Sequence, residues 1–384
     1  MGSDVQQPQP GAFERTSSQA RVFRYLLDQD GPRTKQEIAT DLGLSLPTVY
    51  QALSNLEDQH LIRPSETRAS TGGRRATPFC PDEEGPMAVG ASITGDRLRL
   101  AAVDLRGSCI ATTESALLHP GALQPVQLGE LIRTNVELFC KRPELADRTL
   151  AGVRIAAPIV INPADGTVVS ATAMGYETFD IADLVRDYDC PVGVENDADC
   201  GGYAESLARD GLTSLAYLSL ERGVGGTIIF NGQPYAGLNG RSGEFGHICV
   251  EPGGRPCACG GRGHLESYCS TACLSDDLGL TLDEFFEQLA ADPTDPMVAG
   301  AWESFASHLA QGIATIRMAL DTTVVIGGLL AHYLADHLDE IRARTAALDP
   351  FSSDARYVEL SLHPYQGVPL GAALKALTAF VETV

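Results

Sequence analysis

Two histidines and two cysteines within eighteen residues, His247, Cys257, Cys259 and His264, constrain this 384-residue chain more than any other feature. Two thiolates and two imidazoles can close a tetrahedral S2N2 shell around one cation. That donor set suits Zn2+, and four protein ligands leave no open position, so the ion expected is structural. Gly260, Gly261 and Gly263 stand between the second thiol and the second imidazole, where the chain must turn tightly for His264 to come back to the cluster. A Cys-x-Cys pair alone carries little weight, since buried thiols are ordinary core residues. The two histidines in frame give the pattern its meaning.

The chain's ten cysteines fit reduced thiols better than a secreted disulfide framework, because Met1–Gly11 is polar and Pro/Gln-rich and has no apolar signal core. No apolar run reaches the roughly 18 residues of a membrane span. A cytoplasmic location without membrane contact is expected.

The length favours two or three domains. Residues 1–13 read as a disordered lead, 14–79 as helices with a short hairpin, 80–86 as a polar Pro-bracketed linker, and 87–384 as α/β material. The clearest strands are Leu98–Val103, Gly152–Ala156, Leu215–Leu220, Thr227–Phe230 and Thr323–Ile326. Helical periodicity is clearest over Ala198–Ala208, Asp283–Ala290 and Met297–Ala319. A β-rich start at Ala88 and another at Leu215 suggest two similar halves. Net charge is −22, yet residues 1–80 hold nine basic and nine acidic groups. Only that neutral segment could meet DNA productively, since an acidic body repels phosphate.

Within it, Val22, Tyr25 and Leu26 recur at helical spacing. Thr34 with Glu37 forms a capping box for a second helix that closes at Leu42-Gly43. Ser45 caps a third, with Pro47 in its first turn. Leu46, Val49, Leu53 and Leu56 are expected to form its buried stripe. Thr48, Tyr50, Gln51, Ser54 and Asn55 are then left facing outward, suited to base edges and phosphates of a major groove. The segment Thr71-Gly72-Gly73-Arg74-Arg75 reads as a wing whose glycines let Arg74 and Arg75 approach the DNA backbone or minor groove. The plainer alternative is a small helical protein-interaction domain.

The run Gly243-Glu244-Phe245-Gly246-His247, then Cys257-Ala258-Cys259-Gly260-Gly261-Arg262-Gly263-His264-Leu265-Glu266, resembles the signature of the ROK family (repressors, open reading frames and sugar kinases). His264 replaces that pattern's third cysteine. Val194-Glu195-Asn196-Asp197-Ala198, Ile326-Gly327-Gly328 and Leu370-Gly371-Ala372-Ala373 resemble three further family motifs. The resemblance implies an actin/hexokinase-like fold of two α/β lobes behind an N-terminal winged helix-turn-helix. It also implies a sugar held by Asn196, Asp197, Glu244, His247 and Glu266, with His247 shared between sugar and zinc.

The family's kinases carry two phosphate loops, and both depart here. Ser92-Ile93-Thr94-Gly95-Asp96-Arg97 stands in place of Asp-x-Gly-Gly-Thr-Lys, and Glu221-Arg222-Gly223-Val224-Gly225 in place of Gly-Thr-Gly-x-Gly. A kinase would need a phosphate cradle and a Mg2+ anchor, so the expectation is a sugar-responsive DNA-binding repressor that has lost phosphoryl transfer. The alternative is an ATP-dependent sugar kinase with Asp197 as base. Operator DNA, a sugar or sugar-derivative effector, and a homodimer or homotetramer are the expected partners.

Overall fold

The computed structural model describes residues 17–65, 77–118, 120–209 and 211–384. They form two compact units. One comprises the residues up to Pro86 together with Ala379–Val384; the other is Met87–Thr378.

The N-terminal unit runs α1 (Ser18–Leu27), β1 (Arg33–Thr34), α2 (Lys35–Leu42), α3 (Leu46–Asp58), β2 (Ile62–Pro64) and β3 (Pro78–Pro81). Thr34 and Glu37 form the full capping box, and Gly43 ends α2 in the left-handed region. Ser45 accepts the Thr48 N–H at 3.3 Å and starts α3. Val49, Ala52, Leu53 and Leu56 are buried, as are Val22, Phe23 and Leu26 of α1. Leu46, expected in that stripe, is 47% exposed. It is the first residue of α3, in a turn left half in solvent, and Ala52 completes the stripe instead. Tyr25 is only half-buried, because its hydroxyl reaches Asp41 at 2.5 Å.

The strands pair in the order β1-β3-β2. The linker expected at 80–86 starts late. Cys80 and Pro81 are buried and complete β3, opposite Arg63 and Ile62. Pro78 and Pro81 occupy the strand's two ends, where a missing N–H is tolerated. The turn that follows is closed by the Gly85 N–H on the Asp82 carbonyl at 3.0 Å. The wing tip, with Arg74 and Arg75, lies outside the described residues.

In the larger unit β4 (Met87–Thr94), β5 (Arg97–Val103) and β6 (Cys109–Ala116) make an antiparallel meander. Helix α4 (Pro125–Cys140) leads to β7 (Leu150–Ala157), parallel to β4. After the small hairpin β8 (Val160–Ile161) and β9 (Val168–Ser170), β10 (Val192–Asn196) adds parallel to β7. Helix α5 (Asp197–Ala208) opens the second lobe, with the meander β11 (Leu215–Leu220), β12 (Val224–Phe230) and β13 (Gln233–Pro234). Helices α6 (Glu266–Cys269), α7 (Leu282–Ala291) and α8 (Pro296–Leu320) precede β14 (Thr323–Gly327), parallel to β11. Then α9 (Leu330–Tyr333) and α10 (Leu338–Ala346) lead to β15 (Val358–Leu360), parallel to β14, and α11 (Gly367–Thr383) ends the chain.

The sheet orders are β10-β7-β4-β5-β6 and β13-β12-β11-β14-β15. Counted from its own first strand, each lobe has the same topology, so the two β-rich starts mark a structural repeat. Strand β4 is buried along its length except at Thr94, as expected for a strand covered on both faces. Val89, Ile93 and Val153 join Leu128, Ile132 and Val136 of α4 in one core. Leu218, Val324 and Ile326 join Phe305, Leu309 and Ile313 of α8 in the other. Helix α11 packs close to α5. A Cβ on Gly371 would lie 1.8 Å from the Cys200 carbonyl oxygen, so only glycine permits that approach.

Candidate functional site

The end of β10 sets up the first part of the candidate site. The Asn196 side chain accepts the Asp199 N–H at 2.9 Å, capping α5, and donates to the Ile159 carbonyl at 2.8 Å. These bonds fix the first turn of α5 and leave the amide one N–H and one lone pair for a ligand. Asn196 is thus a positioning group as well as a candidate contact. Asp197 follows as the first residue of the helix. Burial pushes its carboxyl up to about 6, against the pull of the Ala198 and its own backbone N–H, with Asp199 and Glu244 adding to the rise. Asp199, not singled out in the sequence, accepts the Thr227 hydroxyl at 2.5 Å. The signal for it was the Asn-x-x-Asp spacing of a capped helix start.

Glu244 precedes the short helical turn Phe245–His247. Burial raises its carboxyl, His247 lowers it, and Glu266 raises it again. Its Oε2 lies 3.8 Å from His247 Nε2. Glu266 begins α6 and faces two ways. Its Oε2 accepts the Val224 N–H at 3.1 Å, and the Cys257 thiol donates to its Oε1 at 3.7 Å.

The possible ligand atoms of His247, Cys257, Cys259 and His264 all lie within 4.8 Å of one another. Cys259 Sγ is 3.2 Å from His264 Nδ1, and the two imidazoles meet edge to face at 5.5 Å. Bridges pairing Cys249 with His264 and Pro256 with Arg262 frame the loop. A Cβ on Gly261 would lie 2.4 Å from the His264 ring, so the glycine is what admits the imidazole. Two thiols and two imidazoles converging on one point fit Zn2+.

Immediately after β11, Glu221 Oε1 accepts the Leu329 N–H at 3.0 Å. Burial pushes this carboxyl up to about 7, opposed by Arg99 and reinforced by Asp197. Ser92 is still within β4, fully buried, and its hydroxyl is without a hydrogen-bond partner among the described residues. Asp96, by contrast, is largely exposed and pairs with Arg97 at 3.5 Å.

In the N-terminal unit Tyr50 and Gln51 are exposed, while Thr48, Ser54 and Asn55 are half-buried on the same helix. The Gln51 amide donates to Asn55 at 2.8 Å, and Asn55 donates to Gln19 of α1 at 3.3 Å. The Lys35 ammonium lies 4.2 Å from the centre of the Tyr50 ring. Neither Gln19 nor Lys35 was expected in this face, because both come from other helices. Among the described residues no helix is long and apolar enough to cross a membrane.

The sequence model described as "ROK family" matches residues 89–373, and that of the "Sugar-specific transcriptional regulator TrmB" matches residues 12–79. The xylose repressor of Bacillus subtilis (strain 168) is 24% identical over 320 residues, 82% of this chain and 82% of its own. Glucokinase of Halalkalibacterium halodurans is 30% identical over 269 residues, 62% of this chain and 79% of its own. A solved ROK family transcriptional regulator, a homolog of the E. coli MLC protein, matches with TM-score 0.75 at 19% identity, over 95% of this chain and 96% of its own. The fold is therefore a sugar-kinase-like α/β body with an N-terminal winged helix.

Proposed function

This chain belongs to the ROK family, and we propose that it is a DNA-binding transcriptional regulator, a repressor, whose hold on its operator is set by a saccharide. The observation that carries this reading is a winged-helix segment matched by a sugar-specific regulator model on the same chain as a ROK body. The saccharide is held by Asn196, Asp197, Glu244, His247 and Glu266, a set of carboxylates, amide and imidazole that can read a pattern of hydroxyls. His247, Cys257, Cys259 and His264 hold one zinc, which supplies rigidity to the loop carrying His247 and Glu266. Thr48, Tyr50, Gln51, Ser54 and Asn55 meet the major groove, and Arg74 and Arg75 meet the backbone. The protein acts in the cytoplasm as a homodimer or homotetramer, matching a two-fold operator.

A retained ATP-dependent sugar kinase with Asp197 as base has the glucokinase likeness in its favour. Against it stand Ser92 in place of the Mg2+-side carboxylate and Glu221 in the second phosphate loop. Operator titration with and without a panel of hexoses and N-acetylhexosamines tests the regulator reading, with ADP release measured in parallel. Operator binding altered by one saccharide, with no ADP released, is the expected result. Saccharide-dependent ADP release would establish the kinase instead.

A further inference from the structure

Four side-chain amides form one hydrogen-bonded line between α3 and α1. Gln51 Nε2 donates to Asn55 Oδ1 at 2.8 Å, one helical turn further along α3. Asn55 Nδ2 donates across to Gln19 Oε1 of α1 at 3.3 Å, and Gln19 Nε2 donates to Gln59 Oε1 at 3.4 Å. Every donation runs the same way, from Gln51 inward. Turning any one amide over would set two oxygens, or two N–H groups, against each other at its neighbours. The orientation of each amide is therefore held by the others. Asn55 and Gln19 are half-buried, whereas Gln51 is exposed. The line thus has a fixed inner part and one open end, and that end is the sixth residue of α3. The N-terminal part of a recognition helix is where base edges are met.

We propose that Gln51 reads an adenine in the operator, and that Asn55 and Gln19 are positioning residues that set its choice of adenine over guanine. This rests on the reading above that α3 meets the major groove, and it adds the base recognised and a role for α1 in specificity. The bond to Asn55 uses one Nε2 hydrogen of Gln51. The second N–H and the Oε1 carbonyl remain, one donor beside one acceptor in a plane. Adenine offers the complement, its N6 donor next to its N7 acceptor, while guanine presents two acceptors, O6 and N7. Against guanine the Gln51 carbonyl would abut O6. Turning the amide to avoid this would set its oxygen against Asn55 Oδ1, and turning Asn55 as well would set that oxygen against Gln19 Oε1.

The test is selection by the full chain from a pool of random-sequence DNA duplexes. Titration of the enriched duplex and of its single A-to-G variants follows, at one fixed salt concentration. Wild type should enrich duplexes with an adenine that Gln51→Ala no longer prefers. Exchanging that adenine for guanine should weaken wild-type binding by about 5- to 150-fold, the scale of one bidentate base contact. Gln19→Ala and Asn55→Ala should each cut this A-over-G ratio by roughly 2- to 12-fold, the scale of one net hydrogen bond. Gln19→Glu keeps an oxygen for the Asn55 amide and should restore the ratio, although its charge weakens binding to every duplex alike. If Gln19→Ala and Asn55→Ala lower affinity for all duplexes equally and leave the ratio unchanged, the positioning role is overturned. An enriched site with no adenine dependent on Gln51 overturns the base assignment, while operator binding by this chain stands. No enriched duplex at all overturns both, and places the fault in the DNA-binding reading.

Discussion

Asp197 and Glu221 are buried carboxyls raised to about 6 and about 7, and burial is the main cause for both. Between the unfolded value of Glu221, about 4.5, and its folded value, about 7, the native state binds more protons than the unfolded chain. Stability from this group is therefore largest at the acid end of that window and falls as pH rises through it. Thermal unfolding of Glu221→Gln from pH 5 to 8 should show a flatter dependence than wild type; an unchanged slope would mean this carboxyl does not titrate in that range. The metal cluster makes a second residue-level prediction. Purified wild type should carry about one zinc per chain, and Cys257→Ser should lose it and bind saccharide more weakly, because in the proposed reading His247 serves both sites. Full saccharide affinity in a zinc-free Cys257→Ser protein would separate the two. At this scale the donor types were legible in the sequence, since a local run of eighteen residues holds all four candidate metal ligands. The partner of Glu221 was not legible. Leu329 lies 108 positions away and is brought to it only by the parallel pairing of β11 and β14.

Short-range signals decide whether an element is readable in advance. The capping box at Thr34, the Ser45 cap and the long stripe of α8 all act within one or two helical turns, and each element formed where its signal lies. Leu46 and the 80–86 segment misled because exposure at a helix start, and the pairing of Cys80 and Pro81 with β2, depend on what lies across the fold. Leu370-Gly371-Ala372-Ala373 likewise looks like a motif but acts as a packing surface of α11. Gly371→Val should cost about 1–3 kcal/mol, the usual penalty for overpacking a close contact, measured by denaturant unfolding. A neutral result would mean α11 can shift off α5. On the DNA face, replacing Arg74 and Arg75 with Ala should weaken binding to all sequences alike and flatten its salt dependence. Gln51→Ala should instead change which bases are preferred, since Gln51 is exposed and held in orientation by Asn55. Unchanged base preference would mean α3 meets DNA with another face.

Across the whole molecule, the proposed reading puts saccharide and operator on different units, so each would affect the other only through a shared conformational equilibrium. That coupling is reciprocal: a saccharide that weakens operator binding by some factor is itself bound more weakly, by the same factor, when operator is present. Typical couplings of about 1–3 kcal/mol correspond to roughly 5- to 150-fold changes in operator affinity. Asp197→Asn should keep operator affinity near normal and blunt that response, read by operator titration at one fixed salt concentration. A full response at the wild-type saccharide concentration would remove Asp197 from the effector site. The matched topology of the two lobes also bears on descent. Strands β4–β5 and β11–β12 are equivalent hairpins of one repeated plan, and both of the motifs that depart from the kinase pattern involve them, at Ser92–Arg97 and at Glu221–Gly225. Replacing Glu221 alone would leave Ser92 as a neutral hydroxyl without a metal-holding charge. On the proposed reading as a regulator without phosphoryl transfer, a lineage with both hairpins altered would need more than one substitution to regain turnover, and the duplicated plan acts on it as a ratchet.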